Sequence, residues 1–149
     1  MINRRQGQLH IVLLVLISSV LMACTDSQYN DDQKNLLSKY KYGIENRGKL
    51  FFTEVCSDCH RNNYNIRIPP HQFTMAQWHK YLTDNRHNIK GDTQSLSDFF
   101  SQTYRSKRAV NNTQLQLVLD VQDKELMLDV AKYLLNGAKD ADSPKSCSQ

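Results

Sequence analysis

Five consecutive residues constrain this chain more than any other stretch: Cys56-Ser57-Asp58-Cys59-His60. Two thiols three positions apart stand within one turn, and an imidazole follows directly. That spacing lets both sulfurs add across the two vinyl groups of one porphyrin, with the adjacent histidine beneath the iron as proximal ligand. Two other chemistries use Cys-x-x-Cys. A structural zinc site needs two further ligands at comparable spacing, and no second Cys-x-x-Cys occurs. A thioredoxin-like redox pair follows a strand in a βαβ unit, whereas the residues before Cys56 have helical periodicity. The motif therefore points to one covalently bound haem c, held by Cys56 and Cys59 and ligated by His60.

The N-terminus asks for the same compartment by a separate signal. Arg4 and Arg5 precede an apolar run from Ile11 to Val20, too short for a bilayer span and suited to the core of an export signal. Leu21-Met22-Ala23-Cys24 resembles the bacterial lipoprotein box. The resemblance implies cleavage before Cys24 and acylation of that cysteine, with residues 1–23 as signal peptide. Acyl chains hold a protein to a membrane by about 0.8 kcal/mol per buried methylene, so several chains anchor firmly. Thr25, where an aspartate would imply inner-membrane retention, favours the outer membrane facing the periplasm. A c-type haem is attached outside the cytoplasmic membrane, so both motifs require export.

The chain has 149 residues and a formal net charge of +4, of which Arg4 and Arg5 account for two. Lysine and arginine are interleaved with acids, so composition excludes a nucleic-acid binder. One domain is expected after the leader. Residues 24–42 read as lipidated cysteine plus a polar tether, turning helical near Leu36, Leu37 and Tyr40. Residues 43–140 carry the haem domain, and residues 141–149 form a polar tail in which Cys147 has no expected partner.

Within the haem domain, Gly48-Lys49-Leu50-Phe51-Phe52-Thr53-Glu54-Val55-Cys56 resembles the first helix of the monohaem cytochrome c family. The glycine, the aromatic four places on and the cysteine four beyond that keep that family's phase. Asp129-Val130-Ala131-Lys132-Tyr133-Leu134 resembles its closing helix. The resemblance implies that the two helices cross near Gly48 and the aromatic, in a small all-α domain around one haem. It also implies that Pro69 or Pro70 presents a carbonyl to the proximal imidazole. Read without the resemblance, Pro69-Pro70 is a rigid turn ahead of a helix.

The second axial ligand is less direct. No methionine occurs between Trp78 and Glu125, Met75 is early, and Met127 falls inside the last helix, where a core role is the default. Thr74 can cap a helix running to about Asn88, with Trp78, Tyr81 and Leu82 on its apolar face. His87 ends that helix, and the stretch from Phe73 through His87 loosely resembles the small dihaem cytochrome c family, where a ligating histidine closely follows a tryptophan helix. His87 is therefore taken as the distal ligand, with His71, Met75 or an open site as alternatives. His79, next to Trp78, is assigned to solvent.

Towards the C-terminus, Leu96, Phe99, Phe100 and Tyr104 predict a short helix capped by Asp92 or Ser95. Leu115, Leu117, Leu119 and Val121 alternate with polar residues and predict an extended segment. A last helix is predicted from about Val121 to Asn136, capped by Asp120 and stopped by Gly137. Together these features predict a membrane-anchored electron carrier rather than an enzyme, with redox proteins of the cell envelope as partners and weak peroxidase activity left open. Two other functions remain from the sequence: a haem-based gas sensor, and a haem subunit docked to a larger oxidoreductase.

Overall fold

The computed structural model describes residues 31–89 and 92–142. In chain order, α1 spans Asp31–Lys39 and α2 spans Glu45–Phe51; a π-helical turn covers Phe52–Ser57 and α3 covers Asp58–Tyr64. A 3-10 turn at Pro70–Gln72 leads into α4, Met75–Asp84. Strands β1 (Arg86–Ile89) and β2 (Asp92–Ser95) follow, then a 3-10 turn at Leu96–Phe100 and α5, Gln102–Ala109. A last 3-10 segment, Thr113–Val118, precedes α6, Asp123–Asn136. The described chain is mostly helical, as predicted. None of its helices is long and apolar enough to cross a membrane.

The crossing of α2 and α6 organises the domain. Gly48 is buried there, and a β-carbon on it would lie 2.0 Å from the Asp129 carbonyl oxygen, so only glycine permits the approach. The buried Asp129 carboxylate accepts from the Ile44 amide at 2.6 Å and from the Arg47 guanidinium. Asn136 donates to Glu45 at 2.7 Å from the far end of α6. α6 also buries Leu126, Val130, Leu134 and Leu135, each contributing about 1.5–3 kcal/mol relative to exposure.

Five elements differ from the sequence prediction, each for a local reason. The tether predicted up to residue 42 turns helical as expected, over Asp31–Lys39, but it docks: Leu36, Leu37 and the following Tyr40 pack on the core. Gln33 holds it to Asp140 at 2.9 Å. The Trp78 helix stops at Asp84 rather than Asn88, because Asn85 takes a left-handed conformation with φ 52°. Asparagine tolerates that region, since its side chain bonds locally. The residues beyond form an antiparallel hairpin with His87 opposite Gln94, an addition to the predicted all-α class.

The third difference is the segment predicted as extended over Leu115 to Val121. It is largely 3-10 helix, so burial follows a spacing of three: Leu115 and Val118 are buried while Leu117 is 70% exposed. The fourth is the start of α6. Gln122, not Asp120, is its N-cap, and Gly137 closes it as predicted. The helix predicted around Leu96 splits: Ser95 is the N-cap residue of the 3-10 turn, without a side-chain bond, and Ser101 caps α5 through the Tyr104 amide at 3.2 Å.

Candidate haem site

The Cys-x-x-Cys-His motif lies where the π turn passes into α3. Nine residues separate Phe51 from His60, two and a half turns of a regular α-helix, which would point His60 away from the core face that Phe51 begins. The wider π turn underwinds the helix between them. Phe52 and Val55 are thereby buried in the core, while Cys56, Cys59 and His60 are half-buried along one wall of a cavity. α3 ends at Asn65, left-handed with φ 53°, and the Ile66 amide bonds back to the His60 carbonyl at 3.1 Å.

That cavity measures ≈ 570 Å³, within the range of small-molecule and cofactor pockets. Phe52, Val55, Trp78, Leu82, Phe100, Val130 and Leu134 give it an apolar lining, drawn from the motif helix, α4, α5's approach and α6. Trp78 is fixed by its indole N–H, which donates to the Pro70 carbonyl at 2.7 Å. α4 in turn is started by a reciprocal cap: Thr74 Oγ1 accepts from the Gln77 amide at 3.3 Å, and Gln77 Oε1 accepts from the Thr74 amide at 2.9 Å.

His87 comes to the same cavity from β1. Its ring centroid lies 5.6 Å from that of His60, at an interplanar angle of 65°. Phe99 packs edge-on to it at 5.2 Å, and its Nδ1 is 2.5 Å from the Tyr81 hydroxyl. The hairpin carrying it is clamped at its base by Asn85, whose side chain donates to Ser95 at 2.7 Å and accepts from the Ser97 amide at 2.8 Å. The other candidates lie elsewhere. His71 sits in the Pro70–Gln72 turn and does not line the cavity. Met75 is fully buried in the core away from it. His79 shares a hydrogen bond with Tyr40 at 2.9 Å instead of facing solvent alone. Met127 packs at the core's edge. Cys24 and Cys147 lie outside the described residues.

The electrostatics favour neutral ligating groups. Burial holds His60 below the ordinary imidazole value, and burial together with nearby His60 does the same to His87. Both shifts favour the uncharged ring, the state that binds a metal. Burial, reinforced by adjacent Cys59, pushes the Cys56 thiol up to about 12, outweighing a backbone hydrogen bond that lowers it. A thiol so raised is the opposite of an activated redox cysteine. Cys56 and Cys59 are not joined in a disulfide.

The donor set fits a haem better than a bare ion. Among the described residues no group of three or more His, Cys, Asp or Glu side chains converges on one point, so a structural zinc site lacks ligands. A porphyrin brings four nitrogens of its own and asks the protein for few donors, and the His60 and His87 rings, 5.6 Å apart between centroids, are candidates for them. His60 Nδ1 is buried with no hydrogen-bond partner, an orphan that a native site must explain. The prolyl carbonyls do not serve it: Pro70 accepts from Trp78, and Pro69 from the Gln72 amide at 3.0 Å. Pro69-Pro70 acts as the rigid turn.

Sequence reasoning missed Tyr81, which it placed only on an apolar face, and missed Phe99 and Tyr104 as cavity walls. No local signal links Tyr81 to His87, because their contact depends on the hairpin. Comparison with protein-family models, curated proteins and solved structures returns no match.

Proposed function

We propose that this chain is an exported, lipid-anchored monohaem c-type cytochrome that passes single electrons between proteins of the bacterial cell envelope. One observation carries the reading. The fold gathers Cys56, Cys59, His60 and His87, distant in sequence from the last of these, around a single apolar cavity of cofactor size. Cys56 and Cys59 would hold the macrocycle through thioethers, each S–H adding across one vinyl C=C. His60 and His87 would hold its iron. The group supplies a ferric/ferrous couple when bound. Phe52, Trp78, Phe100 and Leu134 would exclude water from it, which would limit reorganisation on electron transfer. Two imidazoles set a lower potential than imidazole with thioether sulfur. Cys24 supplies the anchor through its lipoprotein box, and the chain's resemblance to cytochrome c along Gly48–Cys56 and Asp129–Leu134 agrees with the α2–α6 crossing at Gly48.

The test is the optical spectrum of the purified holoprotein, reduced, with and without carbon monoxide. A haem that stays with the denatured polypeptide, and a spectrum that carbon monoxide leaves unchanged, would support a six-coordinate electron carrier. A rapid Soret shift would move the function to gas binding. Absence of covalent haem in protein matured in a periplasm with haem-attachment machinery would end the reading. His87→Ala should convert the ferric iron from low to high spin.

A further inference from the structure

Tyr81 is the polar side chain on the cavity wall whose contact is most specific. It projects from α4, its ring lies 6.2 Å from Trp78, and its hydroxyl is 2.5 Å from His87 Nδ1. With Nδ1 occupied in this way, the ring nitrogen of His87 left to bind a metal is Nε2. The neighbouring Phe99 ring bars rotation from another side at 5.2 Å. A metal-binding histidine commonly passes its other N–H to an oxygen acceptor, which fixes the tautomer and makes the imidazole a better donor.

We infer that Tyr81 is the positioning residue for His87: its phenol oxygen accepts the Nδ1–H, leaves the Nε2 lone pair for the iron, and strengthens that bond. The inference rests on His87 being the distal ligand. It has a sign. An acceptor at Nδ1 raises imidazole basicity and favours the ferric state, so Tyr81 lowers the potential. Were the phenol instead the donor to Nδ1, Nε2 would carry the proton and have no lone pair for the iron, and His87 would not be the ligand.

The experiment compares the full-length holoprotein with Tyr81→Phe, which keeps the ring against Trp78 and removes only the oxygen. The variant should retain its haem and low-spin ferric spectrum. Carbon monoxide should displace the distal ligand on the order of tenfold faster, in line with the usual effect of losing such a partner. A tenfold loss of preference for the ferric state corresponds to a potential about 59 mV higher for a one-electron couple. An unchanged or lowered potential, with unchanged displacement by carbon monoxide, overturns the role of Tyr81. His87→Ala separates this from failure of the underlying reading. If that variant remains six-coordinate, another residue is the distal ligand and the inference falls with it. If it opens the site while Tyr81→Phe matches the parent, only the role of Tyr81 is wrong.

Discussion

Gly48→Ala sets two physical effects against each other with opposite signs. Helix propensity alone favours alanine over glycine by about 1 kcal/mol within a helix such as α2. Packing opposes it. The added β-carbon would lie 2.0 Å from the Asp129 carbonyl oxygen, 2.3 Å from its carbon and 2.8 Å from the Val130 nitrogen. All three are backbone atoms of α6, so no flexible side chain can yield, and the helices must part by about 1.4 Å to restore ordinary contact. A gap of that size forfeits at least about half of the dispersion energy along the seam. It also draws Ile44 and Arg47 from the buried Asp129 carboxylate. Overpacking costs about 1–3 kcal/mol in general, and a backbone clash belongs at or above the top of that range. After the propensity gain, the net loss should be about 2–4 kcal/mol, or a drop of about 8–16 °C in Tm for a domain of this size. Thermal and denaturant unfolding, followed by far-ultraviolet circular dichroism and by the Soret band, would measure it. Gly43→Ala, whose β-carbon would come to 2.6 Å from the Leu128 carbonyl oxygen, should cost less. A Gly48→Ala protein as stable as the parent, or more stable, would refute the close crossing of α2 and α6.

Three more outcomes are expected. Arg105 is buried and donates to the carbonyls of Phe100 at 2.5 Å, Leu119 at 3.2 Å and Val121 at 2.7 Å, so Arg105→Met should cost roughly 1–3 kcal/mol for each carbonyl left dry; denaturant midpoints would show it, and a neutral result would mean that water replaces the guanidinium. Asn85→Ala should destabilise more than Asn85→Gly by roughly 1–2 kcal/mol, the cost of a left-handed conformation with a β-carbon, although both lose the bonds to Ser95 and Ser97; equal losses would assign the role to the hydrogen bonds alone. Burial and the charge of Lys39 lower the His79 pKa, so the undocked state of α1 binds more protons than the docked state. Docking of α1 should therefore be strongest above about pH 6.5 and weaken as pH falls through the lowered value, which amide exchange of residues 31–39 in the parent and in His79→Phe would detect as a pH dependence present only in the parent.

The motif's share of the cavity wall was legible because it is local. Cys56, Cys59 and His60 lie in one turn, and their grouping follows from spacing that no distant contact needs to create. The helical run from Glu45 into the motif and the last helix were legible for a similar reason: their apolar residues recur at helical intervals. The resemblance to cytochrome c implied a close crossing at Gly48, though not the carboxylate of Asp129 that seals it. The hairpin was missed because nothing in Asn85–His87 breaks the helical pattern as clearly as proline would. The left-handed turn at Asn85 is stabilised by Ser95 and Ser97, ten and more residues away. The period of two from Leu115 misled, since a 3-10 segment packed on the core buries every third residue instead.

What the amino-acid order carries by itself is thus what fits within a turn or a periodic stretch: a Cys-x-x-Cys-His spacing that suits covalent haem, and apolar positions at helical intervals. What only the tertiary structure decided is which distant groups share the cavity. His87 faces His60, Met75 and His71 are excluded, and Tyr81 meets Nδ1, because α4 stops at Asn85 and the hairpin folds back over the wall. Such encounters depend on the relative placement of elements far apart in the chain, set by the burial of their apolar faces against one another, and residue spacing along the chain does not encode that placement.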